Sequence, residues 1–114
     1  MRNDNAYLED IRLACGRIAM YIKGISKRDF LVDEKTRAAV EREVTIIGEA
    51  ASKISAEFKS KHKDVPWSRL MQLRNFYMYA YERLSPAEVW GTAKKTAPNV
   101  AHLIAGLIPD DDVS

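Results

Sequence analysis

The sequence predicts an all-α protein, an antiparallel bundle of four to five helices. Three observations lead there. Apolar residues return at steps of three and four along nearly the whole chain, the period of an amphipathic helix. Serine, aspartate, proline and glycine fall where helices start and stop. No stretch alternates apolar and polar residues as a half-buried strand would, and the short connections favour antiparallel neighbours.

Tyr7, Leu8, Ile11, Cys15, Ile18 and Ile22 write the first helix, which ends near Gly24, a residue suited to a helix C-terminus. Ser26 and Asp29 resemble a short capping arrangement in the following turn. The second helix starts after Asp33 and carries the stripe Thr36, Val40, Val44, Ile47, Ala51 and Ile54. Between Ser52 and Ser55 it either continues or breaks, ahead of a basic, polar stretch from Lys59 to Lys63. Asp64-Val-Pro-Trp67 marks a new start, with Pro66 in a first turn where its missing N–H costs nothing. The helix from Trp67 is expected to run through Leu70, Leu73, Tyr77 and Tyr81. Ser85-Pro-Ala-Glu88 is the clearest cap: Ser85 at the N-cap, Pro86 at the first helical position, Glu88 reaching back. The last helix carries Val89, Trp90, Ala93, Ala97, Val100, Ile104 and Leu107. Pro98 should kink or split it, because proline lacks a donor and clashes with the preceding turn. Residues 1–109 read as one domain, and 110–114 as a short acidic tail that frays.

Composition narrows the function classes. A chain of 114 residues fits one compact domain and can hide roughly two-thirds of its unfolded surface. A net charge of +2 is no strong electrostatic footprint for nucleic acid, though it leaves room for a local basic patch. Cys15 is the only cysteine, so there is no intramolecular disulfide and no cysteine-rich metal site. It lies in an apolar stripe and reads as a buried small hydrophobe. No apolar run is long enough to span a bilayer, and no signal-peptide pattern opens the chain. The expectation is a cytoplasmic protein without membrane segment, cofactor or metal. A metal or cofactor bundle finds no support: there is no Glu-x-x-His pair, and only His62 and His102 are present.

One stretch departs from this generic pattern: Leu73-Arg-Asn-Phe-Tyr-Met-Tyr-Ala-Tyr81. It resembles the signature of the HepT-like proteins of the HEPN ribonuclease-toxin class, in which arginine, four residues, histidine, any residue and tyrosine follow in order. Arg74 occupies the arginine position and Tyr81 the final tyrosine, while Tyr79 stands where histidine is expected. The resemblance extends over almost the whole chain. Tyr7-Leu-Glu-Asp10, Ile46-Ile-Gly-Glu-Ala50, Val65-Pro-Trp67 and Val89-Trp90 all look like this family. The short motif alone is weak, since arginine and tyrosine are common on helices; the ordered set is far more specific.

The resemblance implies a homodimeric HEPN-type bundle with a composite cleft at the dimer interface. It implies a metal-independent RNA endonuclease, acting on tRNA in some members. It also implies a partner, an MNT-type nucleotidyltransferase encoded alongside, as in HepT/MntA-type toxin–antitoxin systems. That partner acts as antitoxin by binding and by transferring AMP to the motif tyrosine, here Tyr81.

Metal-free RNA cleavage needs a base for the 2′-hydroxyl, an acid for the leaving oxygen and a cation for the phosphate. Histidine suits the proton transfers because its ordinary pKa is near neutrality. Arginine suits the phosphate because its planar fork donates two parallel hydrogen bonds. Arg74 can therefore perform its part. Tyr79 is a poor substitute for histidine, because a free phenol titrates near pH ~10. The expected loss is the ~10²–10⁴-fold that a positioned acid–base group supplies. Tyr79 is either an inactivating substitution in a toxin that harms its producer, or the mark of a non-catalytic member.

Helical geometry complicates the site. Arg74, Met78 and Tyr81 would share a face at steps of four and three, whereas Tyr79 points well around the cylinder. Convergence on one phosphate would need a distorted helix end, long side chains or the partner subunit. The other reading of Tyr77, Tyr79 and Tyr81 is an aromatic packing surface between helices or protomers. Tyr79 is a rival to Tyr81 as AMP acceptor. Asn75 is a further polar candidate or an exposed helix residue. Glu49 either orients Arg74 through a charge-assisted bond or pairs with Lys53 four residues on. Lys59–Lys63, Arg69 and Arg83 could contact backbone phosphates or be a solvated face. His62 and His102 read as surface residues. The alternative function is a non-catalytic helical module that binds and regulates a nucleotidyltransferase.

Overall fold

A computed structural model of the chain describes residues 3–109, so the acidic tail expected at 110–114 lies outside the described residues. Helix α1 (Asp4–Ile22) begins where the Asn3 side chain accepts the Ala6 N–H at 3.0 Å. It turns Leu8, Ile11, Ala14, Cys15, Ile18 and Ile22 inward. It stops at Lys23, and Gly24 takes φ +75°, a left-handed conformation that only glycine adopts without strain. Short helix α2 (Lys27–Leu31) is capped by Ser26, whose hydroxyl accepts the Asp29 N–H at 3.1 Å. It buries Phe30 against Trp90, ring centroids 5.1 Å apart.

Helix α3 (Glu34–Lys53) is capped by Asp33, whose carboxylate accepts the Thr36 hydroxyl at 2.6 Å and the Thr36 N–H at 3.0 Å. Those bonds hold the Asp33 carboxyl below its usual value. The helix breaks rather than continues: Ile54 is extended and Ser55 caps α4 (Ala56–Lys61). Asp4 accepts the Ser55 N–H and hydroxyl at 2.8 and 2.7 Å, and the Arg17 Nε donates to Glu43 at 2.9 Å. Early α1 thus meets late α3 and later α1 meets earlier α3, which makes the pair antiparallel. Glu43 is 5% exposed and also accepts the Tyr21 hydroxyl at 3.3 Å. It is a buried carboxylate that the apolar stripe of α3 did not include, and losing Arg17 would strand its charge.

Helix α5 (Trp67–Tyr79) departs from expectation at both ends. Pro66 sits at the N-cap rather than in the first turn, and the Trp67 indole N–H donates to the His62 carbonyl at 2.9 Å. His62 is not a solvated residue: it is half-buried, its ring centroid 4.3 Å from that of Phe58. His102 is exposed, as expected. At the other end, Ala80 leaves the helix at φ −130°, ψ 31°, and Tyr81–Arg83 forms a separate 3₁₀ turn. The expected run through Tyr81 is therefore wrong. Tyr77 is the last buried side chain of α5, and a helix continues mainly where packing of an apolar face supports it.

Helix α6 (Pro86–Gly91) has the full capping box: Ser85 Oγ accepts the Glu88 N–H at 3.2 Å, and Glu88 accepts the Ser85 N–H at 3.1 Å. Such a cap is worth about 1 kcal/mol. A π turn, Thr92–Thr96, joins it to α7 (Ala97–Ala105). Pro98 splits this rod as expected. The Ala97 N–H reaches back five residues to the Thr92 carbonyl, and Pro98 then falls in the first turn of α7, where no donor is needed.

Helix α1 packs on α3 and α7, and α3 packs on α5. Leu8, Ile11, Ile18, Phe30, Val40, Val89, Val100 and Ile104 are fully buried at the centre. Each such side chain contributes about 1.5–3 kcal/mol over its exposed state. Cys15 is buried among them, and burial pushes its thiol up to about 11, so it acts as a small hydrophobe rather than a nucleophile. Every regular element among the described residues is helical, as the all-α expectation requires. None of those helices is long and apolar enough to cross a membrane.

Candidate functional site

The site is built where α5 crosses α3, and a glycine decides how close they come. A Cβ placed on Gly48 would lie 2.2 Å from the Arg74 Cβ and 2.7 Å from the Leu70 carbonyl oxygen. With no side chain there, the backbone of α5 rests directly on α3. Arg74 is thereby laid alongside the next residue of α3, Glu49. Its Nη2 meets Glu49 Oε1 at 2.7 Å, and its Nη1 donates to Asn75 Oδ1 at 2.9 Å. The other oxygen of Glu49 faces Lys53 Nζ at 3.6 Å. Both readings of Glu49 therefore hold at once: it orients Arg74 and pairs with Lys53. Asn75, offered as a polar candidate, joins the same cluster through the guanidinium.

Arg74 is a half-buried, positioned cation. Its side chain is 26% exposed, and its Nε is buried without a hydrogen-bond partner. Each Nη carries two hydrogens, and the two bonds above use one apiece. One N–H on each Nη is left for an anionic oxygen.

The tyrosines divide. Tyr77 is buried at 6% exposure, and its hydroxyl donates to Thr92 Oγ1 at 2.8 Å. Burial pushes its phenol up, with the Thr92 bond acting the other way. It is a packing residue, out of reach as an acceptor of AMP. Tyr79 and Tyr81 are 71% and 69% exposed, and with Met78 they form an apolar patch at the end of α5. The helix end is distorted, as convergence would require. Yet Tyr79 and Tyr81 stand outside the hydrogen-bonded Arg74–Glu49–Asn75 cluster, and Tyr81 no longer shares a helical face with Arg74 and Met78. His62 and His102 belong to neither α3 nor α5.

Beside the cluster lies an open cavity of about 270 Å³ between α1, α3 and α5, with Glu49 and Met78 in its wall. Sequence reasoning missed two things here. Gly48 was quoted only as part of a family-like string, although an isolated glycine within a helical pattern signals a close backbone approach. The cavity itself left no signal, because it depends on the angle between helices.

Comparison with known proteins gives the family. Residues 11–106 match the family model described as "Ribonuclease HepT-like". A protein of Thermococcus cleftensis named "Probable ribonuclease HepT" is 36% identical over 99 residues, covering 87% of this chain and 90% of that one. A protein of Caldanaerobacter subterraneus subsp. tengcongensis named "Putative RNase" is 33% identical over 108 residues, covering 95% of this chain and 96% of that one. One from Methanocaldococcus jannaschii, named in the same way, is 30% identical over 99 residues, covering 87% and 91%. No solved structure matches the chain. By the extent of these matches, the chain belongs to the HepT-like ribonuclease family.

Proposed function

We propose that this chain is the toxin of a toxin–antitoxin pair, a cytoplasmic, metal-independent RNA endonuclease by design whose acid–base step is impaired by Tyr79. The observation that carries the reading is Arg74, fixed by Glu49 and Asn75 with an N–H left on each Nη. It would hold the scissile phosphate. The domain spans 1–109 and acts as a homodimer, with the exposed Met78, Tyr79 and Tyr81 facing a second copy across a composite cleft. RNA, tRNA among the candidates, is the substrate.

The antitoxin in this proposal is an MNT-type nucleotidyltransferase that modifies Tyr81. The phenolic oxygen attacks the α-phosphorus of ATP, pyrophosphate leaves, and the phenolic proton passes to solvent or a base on the transferase. Tyr81 is exposed enough to enter a second active site, and AMP there would put bulk and negative charge at the end of α5. Incubation with the cognate transferase and ATP, followed by peptide mass spectrometry, should place AMP on Tyr81. AMP found only on another residue would remove this step.

A second reading draws on the same exposed patch. Met78, Tyr79 and Tyr81 could serve a non-catalytic module that binds and regulates the transferase, with Arg74 holding the partner or its nucleotide. Co-purification with the transferase, together with no RNA binding, would favour it over the nuclease.

A further inference from the structure

The cavity beside Arg74 has chemistry that the cleavage motif does not use. One stripe of α3 lines it at helical steps: Arg42, Ile46, Glu49 and Lys53. Asp10 of α1 and Met78 of α5 close its sides. Arg42 and Lys53 stand eleven residues apart, about 17 Å along α3 by the rise of a helix. Arg74 reaches the same stripe at Glu49, between them. Two cations, Arg42 and Lys53, thus border one groove, and Arg74 touches its wall through Glu49. The same lining includes the carboxylates of Asp10 and Glu49 and the apolar side chains of Ile46 and Met78.

We infer that this groove is a subsite for single-stranded RNA next to the phosphate held by Arg74, with Arg42 and Lys53 holding the flanking phosphates. The inference rests on the reading of Arg74 as a phosphate ligand. A lone basic patch would not suffice, because exposed lysines and arginines are usually only solvated. Here cations, carboxylates and apolar carbons line one groove, and a ribonucleotide chain offers a phosphate, a sugar hydroxyl and a base to match them. Phosphates meet Arg42 and Lys53, and Arg74 at the wall. The ribose 2′-hydroxyl, a donor that DNA lacks, meets the carboxylate oxygens of Asp10 and Glu49. An unstacked base packs on the apolar side chains of Ile46 and Met78. A carboxylate lining the groove would repel a phosphate, so Asp10 sets the register of the strand as well as its sugar. Glu49 is less repulsive, because Arg74 and Lys53 flank it at 2.7 and 3.6 Å.

The test is fluorescence anisotropy with a labelled single-stranded oligoribonucleotide of about 12 nucleotides, within the span such grooves cover. Arg42 and Lys53 are both exposed, so Arg42→Ala and Lys53→Ala should fold as the parent does. Each should weaken binding about 3- to 10-fold and flatten the plot of log affinity against log salt by about 0.7. Lys53→Arg should bind like the parent, as should Arg28→Ala on α2. The deoxy strand of the same sequence should bind more weakly than the RNA. Suppose Arg74→Ala loses affinity while Arg42→Ala and Lys53→Ala do not: the subsite is then wrong and the reading of Arg74 survives. If Arg74→Ala also binds like the parent, or the parent binds no RNA, both fall. Equal affinity for the RNA and deoxy strands would remove the role of the carboxylates. A change of oligomeric state in the groove variants without a change in RNA affinity would make the groove a contact between copies, which also overturns the subsite.

Discussion

Tyr79→His should raise RNA cleavage by this chain about 10²–10⁴-fold, the contribution of a positioned acid–base group. The substitution is structurally cheap. Tyr79 is the last residue of α5 and 71% exposed, so little packing is lost. The last turn of α5 carries no basic residue, and a protonated imidazole there gains about 0.3–1 kcal/mol from the helix dipole. The effect should therefore appear in the rate and not in the melting temperature. Tyr79→Phe should cleave no more slowly than the chain as it stands, because the phenol is not the working base. Arg74→Ala in the Tyr79→His background should remove the gain, since the phosphate would lose its cation. Equal rates for the chain and Tyr79→His on every RNA tried would show that position 79 does not limit the reaction.

Gly48→Ala should destabilise the fold by about 1–3 kcal/mol, the usual cost of overpacking a tight contact. Alanine is the better helix former by as much as ~1 kcal/mol, so on propensity alone the change would help. Contact decides against it. The new methyl would sit 2.2 Å from the Arg74 Cβ and 2.7 Å from the Leu70 carbonyl oxygen. Neither obstacle is the far end of a flexible side chain, so α5 must move away from α3. That movement loosens Trp67, Leu70 and Tyr77 and takes Arg74 from Glu49. Each kcal/mol lost should lower the melting temperature by about 4–8 °C in a domain near this size. Gly16→Ala is the control: Gly16 is exposed within α1 with nothing near its absent Cβ, and the change should be neutral or stabilising. A Gly48→Ala protein that melts at or above the parent would mean that the two helices are not in such close contact.

Local chemistry made the helix starts legible. Ser26, Asp33 and Ser85 are short polar residues whose side chains satisfy the first free N–H groups, and all three cap helices. The family-like string of α5 likewise brought Arg74 and Asn75 together, and Glu49 was already named as a possible partner. What was not legible depends on the third dimension. The periodicity of Tyr77 and Tyr81 suggested one helix, but nothing in that spacing reveals that the core ends at Tyr77. Glu43 lies on the apolar face of α3 but was not part of its named stripe, because its burial is tolerable only through Arg17 and Tyr21 of another helix. His62 looked solvated among lysines because Phe58 packs on it only when α4 forms a turn.

The wide turn at Thr92–Thr96 keeps two halves of one rod in phase. Val89 and Ile104 are both fully buried, yet they stand fifteen residues apart. At 3.6 residues per turn that interval overshoots four complete turns by about 60°. An unbroken α-helix would aim one of the two partly away from the core. The looser winding between them absorbs the excess, so this stretch works as an angular spacer. Deleting Lys95, an exposed residue, would return the spacer to ordinary winding and leave Val89 and Ile104 fourteen residues apart, about 40° short of four turns, so both would still face the core. The deletion variant and Lys95→Ala should therefore each melt cooperatively; a non-cooperative melt of the deletion variant would show that the wide turn itself, and not the phase, holds α7 in place.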